Sequence, residues 1–189
     1  MMKHFTDRIR ESFPQHQLQK NLGLYDSGSV AVFSQAMDYR YALVEEWDRR
    51  CHSLAFVMLN PSTADAISDD PTVVRCRERA RRMQYGGFAI FNLFALRATD
   101  PRALRRHPDP VGPNNDWYLR YLIDSRAMTI AGWGAFGNLR GRDEEVRQMF
   151  VAASLPLYCL GITACGAPRH PLYVGYAIEP VEWAKGGAR

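Results

Sequence analysis

Three polar strings, far apart in the chain, carry side chains that could do chemistry. Asn60-Pro61-Ser62-Thr63 ends the apolar run Leu54 to Leu59. An asparagine there offers two N–H donors and one carbonyl acceptor, so it can orient a water or read an amide edge. Ser62 and Thr63, with their backbone N–H groups, could hold an anion in a nest. Asn-Pro-Ser also closes a turn well, which is the plainer alternative. Asn92 interrupts the second apolar run, Phe88 to Phe94. A buried amide costs stability unless hydrogen-bonded, so Asn92 has a partner, either backbone or ligand. The third string is Arg169-His170-Pro171. Proline holds the preceding histidine extended, and an imidazole so fixed can donate to a developing oxyanion or a base carbonyl. A loop histidine that is simply solvated is the alternative.

Two further groups are candidates. Arg97, Arg102, Arg105 and Arg106 lie between a strand end and a helix, where they contact phosphate or form a plain surface loop. In Gly132-Trp133-Gly134 the glycines allow close approach, and Trp133 either stacks on a base or sits in the core. The chain lacks a Walker A loop, a GxGxxG after a strand, an HExxH and a G-x-S-x-G elbow. Its histidines, His4, His16, His52, His107 and His170, are scattered, so neither a metal site nor a cofactor is expected.

The elements that must position these residues follow from pattern. LAFVML (54–59) and the run 88–94 are short and apolar throughout, as strands buried on both faces are. Residues 127–131 and 157–161 read as two more. Asp70-Pro71 opens a helix, with Asp70 as N-cap, and Val73, Cys76, Ala80 and Met83 recur on one face. Gly86-Gly87 is expected to stop it. Asn114 to Asp124 and Gly141 to Ala152 are further helices, and 97–113 reads as a loop rich in Arg and Pro. Val30–Ser34 and Tyr39–Val44 form a hairpin. Alternating strands and helices predict a three-layer α/β/α domain with a mainly parallel central sheet and this N-terminal hairpin. The expected division is an arm over 1–25 and one α/β domain over 26–189. Ligands bind beyond the carboxyl ends of such strands, where the polar strings fall.

Composition narrows the class. The 189 residues are 47% hydrophobic with a formal net charge of +4, enough for one domain with a proper core. Only Lys3, Lys20 and Lys185 are lysines, so the cations are nearly all arginine, whose planar fork suits phosphate and carboxylate. The basic residues also fit a solvated surface with paired carboxylates. Cys51, Cys76, Cys159 and Cys165 show no CxxC or zinc-finger spacing and read as free thiols of a cytoplasmic protein. Residues 1–21 are charged and polar, unlike a signal peptide. No apolar run approaches the roughly 18 residues that span a membrane, so no membrane partner is expected.

The strings LNPSTADAISDDPTVVRC, GGFAIFNLFALRATDP, AGWGAFG and GAPRHPLY closely resemble, in order, an uncharacterised bacterial family, domain of unknown function 1643. The resemblance covers roughly Val30 to Tyr173 and brings no established activity. More distantly, the order of motifs is similar to the uracil-DNA glycosylase superfamily. That likeness implies a uracil-DNA glycosylase-like fold with Asn60 positioning the attacking water, Asn92 reading the pyrimidine edge and His170 stabilising the base carbonyl. The chain departs from it after Pro61, where the loop is longer in polar residues. Leu172-Tyr173 follows His170-Pro171 in place of a serine-bearing intercalation loop, and the four cysteines do not fit an iron–sulfur set.

The expectation is a nucleobase- or nucleotide-handling enzyme, an N-glycosidic hydrolase. Asn60 and His170 are its catalytic residues, and Pro61, Ser62, Thr63, Asn92, Arg97, Trp133 and Arg169 bind substrate. Asp65, Asp69 or Asp70 could supply a base. A non-catalytic module that binds a nucleotide or nucleic acid is the alternative.

Overall fold

The computed structural model describes residues 2–22, 28–62 and 70–183. Its strands are β1 (Gln17–Leu22), β2 (Gly28–Phe33), β3 (Arg40–Glu46), β4 (Ser53–Met58), β5 (Gly87–Asn92), β6 (Thr129–Ala131), β7 (Tyr158–Cys159) and β8 (Val181–Glu182). The helices are α1 (Met2–Ser12), α2 (Pro71–Arg82), α3 (Arg102–Arg106), α4 (Asn115–Asp124) and α5 (Arg142–Ala152). All the strands join one sheet in the order β1-β2-β3-β5-β4-β6-β7-β8.

The four apolar runs behave as their composition requires. Every residue of β4 and β5 is buried. Ala55 and Val57 pack with α1, α4 and α5 through Phe5, Ile9, Tyr118, Leu119, Val146 and Phe150. Leu54, Phe56 and Met58 pack with α2 through Val73, Cys76 and Ala80. The pairs β4–β5, β4–β6 and β6–β7 are parallel.

The expectation of a mainly parallel sheet is corrected. The pairs β1–β2, β2–β3, β3–β5 and β7–β8 are antiparallel, so antiparallel pairings outnumber parallel ones. The tight link between β2 and β3 permits only an antiparallel hairpin, since a parallel return needs a long crossover. That hairpin then presents β3 in the antiparallel sense to β5. The result is a mixed α/β sheet with a parallel core and antiparallel flanks.

Local chemistry sets the helix that borders the site. Asp70 Oδ1 accepts from the backbone N–H of Thr72 at 2.7 Å and of Val73 at 3.4 Å, capping α2. The helix ends at Arg82, and Gln84 turns the chain at φ 61°. The glycines beyond serve close packing instead: a Cβ on Gly86 would stand 2.0 Å from Asp48 O. Arg79, on the buried face of α2, donates to Gly175 O at 2.8 Å and Ile178 O at 2.7 Å, clasping the segment after His170 to this helix. In the N-terminal segment, Phe5 and Ile9 of α1 lie in the core.

Candidate functional site

A cleft of about 750 Å³ opens beyond the carboxyl ends of β4 and β6. Its wall includes Asn60, Trp133, Arg169 and His170. Two strand ends and one late loop therefore meet as the parallel core requires.

Asn60 follows β4. Its Nδ2 donates to Ala98 O at 2.7 Å and to Pro61 O at 3.0 Å. The amide nitrogen thus ties the end of β4 to the segment after β5, and Ala98 N returns a bond to Pro61 O at 3.0 Å. With the N–H groups spent on backbone, Oδ1 is the polar atom of the amide that takes no hydrogen bond from the described residues, an acceptor suited to a water or an N–H of a ligand.

His170 is held by its own turn. Pro171–Tyr173 is one turn of 3-10 helix, and His170 Nδ1 accepts from Leu172 N at 3.3 Å. An accepting Nδ1 places the proton on Nε2, which leaves Nε2–H as a donor. Burial holds the imidazole below its ordinary pKa of 6.5, against a smaller pull upward from Asp70. His170 is therefore neutral at pH 7. The loop that carries it is pinned at two points: Gly134 N donates to Pro168 O at 2.9 Å, and Arg169 N to Gly161 O at 2.9 Å. Pro171 lies against Gly132, where a Cβ would come within 2.6 Å of its Cδ. Glycine after β6 is what lets His170-Pro171 approach the sheet.

The other expected residues divide. Arg169 lines the cleft and is exposed. Trp133 lines it too, but is 2% exposed and packs edge-to-face on Trp183 at 5.2 Å, so it is mainly core wall. Asn92 is buried on the α2 face of β5 and is not part of the cleft lining. Asn115 Nδ2 donates to its backbone O at 3.0 Å. Pro61 is buried and Ser62 donates to Asp70 Oδ2 at 2.9 Å; neither lines the cleft. Arg97 is turned away, donating to Met37 O at 2.9 Å and stacking on Phe33 at 5.3 Å. Arg102 bonds Asp100 at 2.9 Å. Thr63, Asp65 and Asp69 lie outside the described residues.

Asp70 is a structural carboxylate. Burial would raise its pKa, but bonds from Ser62, Thr72 and Val73 hold it below the ordinary value. Both oxygens are engaged, so it is a helix cap rather than a free base. Among the described residues no three His, Cys, Asp or Glu side chains gather as a metal ion would need, and no helix is long and apolar enough to cross a membrane.

Among the cleft residues that escaped the sequence reading are two exposed aromatics. Phe136 is 42% exposed and Tyr173 is 77% exposed, and both line the cleft. Exposed aromatic faces at a cleft are stacking surfaces. Their signal was their position two residues beyond the Gly-Trp-Gly and His-Pro strings.

The sequence profile of the family Protein of unknown function (DUF1643) matches residues 40–172. No curated protein matches the chain, and no solved structure does. The matched span reaches from β3 to Leu172 and holds both Asn60 and His170, and the chain belongs to the DUF1643 family.

Proposed function

We propose that the cleft takes a nucleobase or nucleotide and that the protein hydrolyses an N-glycosidic bond there. One observation carries the reading. Asn60 and His170, far apart in sequence, line the same cleft, and the polar atoms they do not spend on the chain are of opposite polarity, an Oδ1 acceptor and an Nε2–H donor. An acceptor and a donor on one wall suit a water and a base carbonyl. Phe136 and Tyr173 offer faces for a flat ring, and Arg169 offers a cation for a phosphate.

In this reading the glycosidic carbon loses the base as its C–N bond breaks, and the base leaves with the electron pair. His170 donates from Nε2 to the base carbonyl, which stabilises the developing negative charge. A bond of this kind is worth roughly 3 kcal/mol in a dry site. Water held by Asn60 Oδ1 forms the new C–O bond, and the proton it sheds balances the one the base takes up. The parallel core with its strand-end cleft supports the likeness to the uracil-DNA glycosylase superfamily. The base-edge role implied for Asn92 finds no support, because that side chain is outside the lining. The four free thiols fit a reducing compartment such as the cytoplasm.

A second reading, nucleotide binding without turnover, is favoured by the cleft's charge: among the described residues its lining includes Arg169 but no carboxylate. Mass spectrometry of nucleosides, nucleotides and base-modified oligonucleotides incubated with the protein separates the two. Release of free base by the wild type, lost in Asn60→Ala and His170→Ala, is the expected outcome. Salt-sensitive binding with no product would leave the second reading.

A further inference from the structure

Arg40, the first residue of β3, is 6% exposed. Its backbone N–H donates to Ala95 O at 2.9 Å, so the sheet fixes the residue in place. Its Nε is buried with no hydrogen-bond partner, and among the described residues no carboxylate pairs with the guanidinium. Burial lowers its pKa to about 10, which still leaves it cationic at neutral pH.

The charged groups around it do not settle this cation. Asp70 lies near enough to attract it and Arg97 near enough to repel it. Yet one Asp70 oxygen accepts from Ser62 and the other caps α2. A buried cation without a hydrogen-bonded counter-charge is strongly destabilising, and proteins retain one where an anion meets it.

We propose that Arg40 is the receptor of an oxyanion site that takes a phosphate group, either as the free ion or as a phosphate monoester. The guanidinium fork binds phosphate bidentately. Arg40 is not part of the cleft lining, so the site does not rest on the nucleobase reading.

Thermal melts in inorganic phosphate, against chloride at equal ionic strength, test it. Wild type should gain about 5–10 °C at phosphate ~100-fold above its Kd. Arg40→Met should lose that gain yet melt no lower than wild type in chloride, because it removes an uncompensated buried charge. Should the methionine variant fail to fold, Arg40→Lys keeps the charge without the fork and should bind phosphate at least ~10-fold more weakly by calorimetry. A phosphate monoester without a base, such as glycerol phosphate, that binds more tightly than inorganic phosphate and loses that binding in Arg40→Met identifies the ester as ligand; equal binding identifies the free ion. The proposal is overturned if wild type gains nothing specific to phosphate, or if the Arg40 variants keep the full gain. His170→Ala should leave the inorganic-phosphate gain intact, so failure of the cleft reading would not be mistaken for failure here.

Discussion

His170 and Asn60 both line the cleft, and each has one polar end bonded to the chain and one end without a hydrogen bond among the described residues. For His170 this creates a pH dependence with a definite sign. A protonated imidazole would place a hydrogen on Nδ1, where it would oppose Leu172 N–H. Burial already keeps the folded pKa below 6.5, so as pH falls the unfolded chain takes up the proton first. The stability linked to His170 is therefore full above pH 6.5 and is lost as pH falls from there towards the folded pKa. Melting curves of wild type and His170→Asn from pH 7.5 to pH 5 check this. The variant keeps an acceptor near Nδ1 and has nothing to titrate, so the wild type should lose stability relative to it on acidification. His16, whose pKa burial also lowers, is common to both proteins and cancels. Parallel curves would show that His170 is solvated and ordinary. Asn60 and His170 were legible as candidates because each sits in a proline-bounded string. The sequence could not show which end of each side chain bonds to the chain, since the partners Ala98 and Leu172 are fixed by folding.

At the scale of elements, the position of His170 at the cleft depends on the glycine that follows β6. A Cβ on Gly132 would meet Pro171 Cδ at 2.6 Å and Met58 Sδ at 3.1 Å. Gly132→Ala should push the 3-10 turn of Pro171–Tyr173 outward and carry His170 with it. Overpacking of this sort costs about 1–3 kcal/mol, so the variant should stay folded with a lowered Tm and lose cleft-ligand binding at least ~10-fold. Calorimetry and a melt decide it, and unchanged affinity would mean that the turn is free to adjust. Helix α2 was legible from its Asp70 cap and the apolar face Val73, Cys76, Ala80 and Met83, and α4 and α5 were read as helical spans without a cap. The short α3 was not, because RALRR buries only Leu104 and lies in an Arg- and Pro-rich stretch. Strand β1 escaped because QLQKNL is largely polar. Strand β8 escaped because both its residues are exposed, leaving no apolar signal.

At the scale of the whole molecule, the parallel order β5-β4-β6-β7 brings Asn60 and His170 together. Four apolar runs were enough to foresee that core. The antiparallel flanks were not foreseen as the majority, since one hairpin was visible but not the strands added outside it. Asn92 misled because its interruption of an apolar run signals a buried amide, not the direction it faces. Arg40 gave no signal at all: its burial arises only when β3 meets the segment after β5. The central claim is that the cleft presents a neutral imidazole donor to a base. The most direct measurement is the imidazole ¹H–¹⁵N spectrum of His170 during titration with nucleosides and nucleotides. Nε2 is expected to be the protonated nitrogen in the free protein and its signal to shift on binding, while Nδ1 remains an acceptor. Binding of these ligands with His170 unchanged, or a panel in which nothing binds, would contradict it.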